Sequence, residues 1–269
     1  MDWGLFDQEG AMRQRFLEID ERTDELKKRF LTTSEGWGAF QEMCDISLIY
    51  HENGLEGVVL TYPEIKSAVD NKIISDVSLL PTYQDIKNQK YCVDLMREKA
   101  EVKRFNVTVS FIKELHGRLV NDPDEVGVYR KDIPIHRTYF HEIAQPSKIQ
   151  AGLVKVLDYV KARPEGDIHP IEHAANVHHR FMRVFPFSNY SGMLGRLLSN
   201  FVLMRSGYLP VVIHSSDRQR YYEALRGAER DFRSFVAEAM ENALENADKF
   251  FFGVTTPRPR PTSSEAARA

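Results

Sequence analysis

A helix–loop–helix is written into residues 170–206. Pro170 opens the first helix, because proline is tolerated in the first turn, where its missing N–H costs nothing. That helix is predicted to run to 183, and the next spans 191–206. The connector reads Val184-Phe-Pro-Phe-Ser-Asn-Tyr-Ser-Gly192, and Ser188, Asn189 and Ser191 are all good N-cap residues for a helix starting near Gly192. Unpaired backbone N–H groups and the positive end of the helix dipole make such a start attractive to an anion. Arg196 lies one turn further in and can form a bidentate contact to phosphate or carboxylate. The plainer alternative is that the cap residues only cap and Arg196 pairs with a structural acid.

Around this unit the chain is helical almost throughout. Residues 8–45 carry Phe16, Ile19, Leu26 and Phe30 at mixed three-to-four spacings, with charges on the other faces. Pro63 to Asp70 reads as the first turns of a helix capped by Thr61. Further helices are predicted at 84–103, at 107–120 before the breaker run Asn121-Asp-Pro-Asp124, and at 147–163, 217–227 and 230–250. From Val126 to Tyr139 the β-branched and aromatic content rises, and Pro134 limits that segment to an edge strand or flap. The expected class is all-α with one small β-hairpin. An N-terminal helical region covers 1–104, a core covers 105–250, and a disordered tail covers 251–269, rich in Pro, Arg, Ser and Ala.

At 269 residues the chain can bury one substantial core. A net charge of −3 argues against general nucleic-acid or anionic-membrane binding. No run of about 18 apolar residues suggests a membrane span. Residues 1–15 carry acids and lack the apolar stretch of a signal peptide. Cys44 and Cys92 read as core thiols rather than a disulfide or metal site. A soluble, cytoplasmic protein is expected, with no nucleic-acid or membrane partner.

The connector resembles the core motif of the Fic family, His-Pro-Phe-x-Asp/Glu-Gly-Asn-Gly-Arg-x-x-Arg. Laid on it, Phe185 stands at the histidine, Pro186 and Phe187 match, and Asn189 replaces the acidic residue. Tyr190 and Ser191 replace the first Gly and the Asn, Gly192 matches, Met193 replaces the first Arg, and Arg196 matches the second. The resemblance covers most of residues 45–245. His169 to Phe181 looks like the helix that leads into the Fic loop, and Gly127-Val-Tyr-Arg130 resembles the start of the flap. Gly207-Tyr-Leu-Pro210 and Arg218 to Leu225 resemble the family's segments after the core helix. The segment around Glu52-Asn-Gly-Leu-Glu-Gly57 looks like the inhibitory-helix region, whose glutamate, here Glu56, pairs with the second Arg. Glu52 stands at the usual Ser position of that motif. The resemblance implies a Fic-like helical core with a hairpin flap and an N-terminal helical region.

In that family the loop holds a nucleotide's phosphates over the second helix, the acidic residue binds magnesium, and the histidine deprotonates a target hydroxyl as it attacks the α-phosphate. Phe185 has no ionisable group, and a well-placed base typically contributes about 100- to 10,000-fold. Asn189 offers one neutral oxygen, which weakens a hard Mg²⁺ site. Met193 removes a positive charge, and Tyr190 brings a β-carbon where positive φ favours Gly. ATP and magnesium binding are therefore expected to be weakened, with no other metal. Asn189, Tyr190, Ser191, Gly192 and Arg196 remain candidate ligand-binding residues, and Glu56 a regulatory one. The expected function is a Fic-fold protein without ordinary AMP-transferase activity, its old cleft or flap holding a small-molecule or protein ligand, with oligomer formation open. One alternative is altered chemistry, in which His173, His179 or Tyr190 supplies the reactive group. The other is residual nucleotidyl transfer. His173 and Asn176, one turn apart with His178 or His179 nearby, suggest a polar patch beneath the loop. His169-Pro-Ile-Glu-His173 matches a zinc-peptidase signature, but Pro170 starts the helix after the first histidine, which argues against a zinc site.

Overall fold

Helix boundaries follow local signals closely. The computed structural model describes residues 3–32, 36–72, 76–134, 141–162 and 168–253. The stretch expected as one helix over 8–45 is two, α1 (Trp3–Thr32) and α2 (Trp37–Leu55). Gly36 precedes α2 at φ +89°, a left-handed conformation that glycine adopts without steric cost. In α3 (Tyr62–Val69) the Glu64 carboxylate accepts both the N–H and the hydroxyl of Thr61 at 2.7 Å, closing the first turn. Next come α4 (Leu80–Glu101) and α5 (Val109–Leu119), the latter capped by Thr108 Oγ1 accepting from Phe111 N–H at 3.2 Å. The remaining helices are α6 (Ile149–Ala162), α7 (Pro170–Val184), α8 (Ser191–Arg205), α9 (Arg218–Arg226) and α10 (Glu229–Phe252).

α8 runs through the middle of the fold. Every residue from Ser191 to Leu203 is buried, so this helix has no solvent face, and its polar side chains must find partners inside. Ser199 Oγ donates to Ala174 O at 3.1 Å, and the Asn200 amide brackets Val211, donating to its carbonyl and accepting its N–H. The main hydrophobic cluster surrounds α7 and α8 and reaches from Phe16 to Ala247. A smaller cluster of Ile46, Ile49, Leu60, Ile65, Ala68 and Ile86 joins α2, α3 and α4. No described helix is long and apolar enough to cross a membrane.

The expected hairpin is not formed among the described residues, which contain no strand. Residues 135–140 lie outside them, and 126–134 runs as turns and irregular chain. Arg130 ties this segment to the 184–190 loop through its backbone N–H, which donates to Pro186 O at 3.0 Å.

Candidate functional site

The loop between α7 and α8 is held from beneath. Phe185 follows α7 at φ +45° and Tyr190 precedes α8 at φ +60°, two non-glycine residues in left-handed conformations. Each costs roughly 1–2 kcal/mol, so the surroundings must impose them. The Phe185 N–H donates to Phe181 O at 2.9 Å, and its ring is sealed at 1% exposure. Its carbonyl accepts from Arg130 Nε at 2.6 Å. The buried Arg130 guanidinium also donates to Val184 O at 3.2 Å, Asp132 O at 3.0 Å and Ala144 O. Burial lowers the Arg130 pKa.

Ser191 does not cap α8. Its hydroxyl turns back onto Phe187, donating to the carbonyl and accepting the N–H, both at 2.8 Å. Tyr190 takes the N-cap position instead, with no side-chain cap bond, and Ser188 and Asn189 are exposed. His116 stacks on Phe187 with centroids 3.9 Å apart. Its Nδ1 accepts Gly127 N–H at 3.1 Å, and the Asn189 backbone bonds the ring as well. Burial pushes its pKa down to about 4, so the ring is neutral and serves as a strut between the 126–130 segment and the loop.

Outside the loop lies a cleft of about 570 Å³. Glu52, Glu56, Asp85, Asp122 and Glu125 line it, alongside Asn189, Tyr190 and Met193, and no lysine, arginine or histidine is among its described lining residues. Such a wall repels a phosphate chain. Arg196, one turn inside α8, is already engaged. Its Nε and Nη2 grip Glu52 at 2.6 and 2.5 Å, and Glu56 lies 3.7 Å from Nη2. Nη1 donates to Tyr221 Oη at 3.2 Å, and Tyr221 Oη lies 2.8 Å from His178 Nε2. Burial opposes the charge on Arg196, yet the Glu52 and Glu56 carboxylates push its pKa still higher. Burial holds His178 well below its usual value, so its ring is neutral beside Tyr221. A Cβ on Gly192 would come within 2.9 Å of Glu56 Oε1 and 3.1 Å of Arg196 Nη1. The bare backbone at Gly192 therefore lets Glu56 lie over the first turn of α8, where an anion is attracted.

The expected Glu56–Arg196 contact exists, but Glu52 is the bidentate partner. Spacing could have found it, since residues 52 and 56 share one helix face. Of the polar patch expected beneath the loop, His173 and Asn176 converge on Tyr159, while His179 turns to Gly227. His173 Nε2 donates to Tyr159 O at 3.1 Å, Asn176 Nδ2 to Tyr159 Oη at 3.3 Å, and His179 Nε2 to Gly227 O at 3.1 Å. None of the three lines the cleft, whereas Tyr190 does. His169 is an N-cap: its Nδ1 accepts Ile171 N–H at 3.2 Å while Nε2 faces Asp20 at 3.1 Å. The zinc-like spacing thus separates onto different partners, and no group of three or more metal-ligating side chains occurs among the described residues.

Taken together, these features define an all-helical domain organised around an anion-directed helix start, with a second helix laid against it. Residues 106–203 match the model of the Fic/DOC family, and the chain is similar to Fic proteins in sequence and in fold. It is 28% identical over 205 residues to the protein adenylyltransferase Fic of Drosophila willistoni, covering 73% of this chain and 40% of that one. To the Drosophila virilis protein of the same name it is 27% identical over 240 residues, covering 86% and 48%. The chain thus spans about half the length of the curated relatives it matches. A Fic domain-containing signaling protein from Bacteroides thetaiotaomicron superposes with a TM-score of 0.75 at 25% identity, covering 90% of this chain and all of that one. Fic-1 from C. elegans shares the fold, with a TM-score of 0.74 at 21% identity, covering 90% and 73%.

Proposed function

We propose that this protein does not carry out the AMP transfer for which its relatives are named, and that its cleft binds a small-molecule or protein ligand. The observation that carries this is the fate of both anion-binding elements. Glu52 occupies Arg196, and Glu56 lies over the start of α8. Position 185 adds to it, because a sealed phenylalanine ring offers no proton acceptor there. Magnesium does not fit the residues present: the Asn189 side chain supplies one neutral oxygen, and its Nδ2 faces Glu125 Oε2 at 3.4 Å.

Incubation with α-labelled ATP and magnesium is expected to leave both this protein and added acceptor proteins unlabelled. Calorimetric titration of ATP into the wild type is expected to show no binding. The double variant Glu52→Gln/Glu56→Gln should gain measurable affinity that a further Arg196→Ala removes. Robust label transfer by the wild type would overturn the proposal and return the chain to nucleotidyl transfer.

A further inference from the structure

The last turns of α2 are held by contacts that the cleft does not use. His51, the residue before Glu52, reaches the turn ahead of α9. Its Nδ1 accepts Ser215 N–H at 3.1 Å and lies 3.1 Å from Ser215 Oγ. Its ring stacks on His214, with centroids 4.4 Å apart and planes 10° from parallel. Arg218 Nε donates to Leu55 O at 2.9 Å. A Cβ on Gly54 would come within 2.7 Å of Ser215 Cβ, so the bare helix backbone packs directly on the Ser215 side chain. This junction sits between His51 and Leu55, and it carries Glu52 and Glu56 on the same turns.

The Ser215 N–H contact needs a lone pair on Nδ1, hence a neutral ring, whereas the Ser215 hydroxyl can either donate to that nitrogen or accept from it. A proton on Nδ1 would set N–H against N–H and place a cation on the His214 ring. The groups facing His51 are Tyr50 on its own helix, with centroids 5.0 Å apart, and His214, Ser215 and Asp217 on the turn. Of these only Asp217 favours the charged form. Burial, then His214, push the His51 pKa down to about 4.

We propose that His51, His214 and Ser215 form an acid-sensitive latch that holds the last turns of α2, and with them Glu52 and Glu56, against Arg196. The neutral ring keeps the latch closed. Protonation opens it, loosens residues 51–57 and uncovers the Arg196 guanidinium toward the cleft. This rests on the Glu52–Arg196 clamp described above, and is independent of whether any AMP transfer survives. With an open-state pKa of about 6.5, lowering the pH from 7 to 4.5 favours the open form by at most about 60-fold.

The test is hydrogen exchange on the full chain, read as protection factors corrected for intrinsic exchange, at pH 7 and 4.5. Peptides covering 51–57 are compared with peptides from α8. Wild type is expected to lose protection in 51–57 by tens of fold at pH 4.5, selectively over α8. His51→Gln, which keeps an acceptor but cannot titrate, is expected to match wild type at pH 7 and to change by less than about threefold at pH 4.5. Unchanged protection in wild type, or equal loss in His51→Gln, overturns the latch. Should that variant not fold, the His51 ring can be titrated by NMR in wild type. A midpoint well below 6.5 is expected, and one near 6.5 overturns the proposal. The labelling assay for AMP transfer reads neither quantity, so the two proposals fail separately.

Discussion

Arg196 and Glu52 are both nearly sealed from water, at 4% and 7% exposure. Taking either charge out of water costs several kcal/mol, which only a close, doubly bonded partner offsets. Two short bonds supply that, with Tyr221 on the remaining nitrogen. Removing one partner leaves the other charge buried without its counter-ion. Glu52→Ala is therefore expected to destabilise the fold by about 3–5 kcal/mol in urea denaturation. Glu56, whose side chain is 37% exposed and 3.7 Å from Arg196, faces water and should cost under about 1 kcal/mol when changed to alanine. Equal losses for the two would mean that the clamp is shared rather than held by Glu52.

α7, α8 and the loop between them show which parts of the architecture the sequence could reveal. Pro170 and the apolar periodicity place α7 within a residue of its observed end, because both signals are local. Position 36 reads as helix interior in the sequence, and only its left-handed backbone reveals the break between α1 and α2. The hairpin expectation rests on composition and on the flap resemblance, neither of which says what a segment packs against; in 126–134 Arg130 and the His116 contact to Gly127 do the anchoring. Glu52 meets Arg196 across 144 residues, a pairing that the 52/56 spacing and the expected Glu56 contact brought within reach, but Arg130 meets Phe185 across 55 residues with no pattern in a single chain to report it. His116 escapes sequence reasoning for the same reason. The fork of Arg130 reaches four carbonyls in directions that an ammonium cannot reproduce. Arg130→Lys is thus expected to cost about 1–3 kcal/mol. The same change should make residues 184–190 more open to limited proteolysis while α10 stays protected. A variant as stable and as resistant as wild type would show that the loop conformation is imposed by Phe185 and Phe187 packing alone.

At the scale of the whole molecule, five histidines among the described residues are held neutral by the fold. Burial is the first cause of the lowered pKa at His51, His116, His173, His178 and His179, and for the first two the value falls to about 4. An unfolded chain binds protons at these rings near pH 6.5, whereas the folded chain does not. Between those limits the unfolded state holds more protons, so stability rises with pH, is fully present above about 6.5, and is lost as pH falls toward the folded values. The lowered carboxylates, Glu9, Glu64, Asp70 and Asp76, lose their contributions only below their ordinary range, while Asp45, raised by burial, takes up its proton in the folded state and works against the imidazoles. At pH 5, His51 and His116 alone take up nearly two protons on unfolding, a slope of roughly 2 kcal/mol per pH unit. Urea midpoints measured from pH 7.5 to 4.5 are expected to fall steadily below pH 6.5. The double change His51→Gln/His116→Gln should flatten that slope while lowering stability at pH 7.5. A flat wild-type profile would mean that these rings gain protons in the folded state, and with that both the His116 strut under the loop and the His51 contact on Ser215 would lose their physical basis.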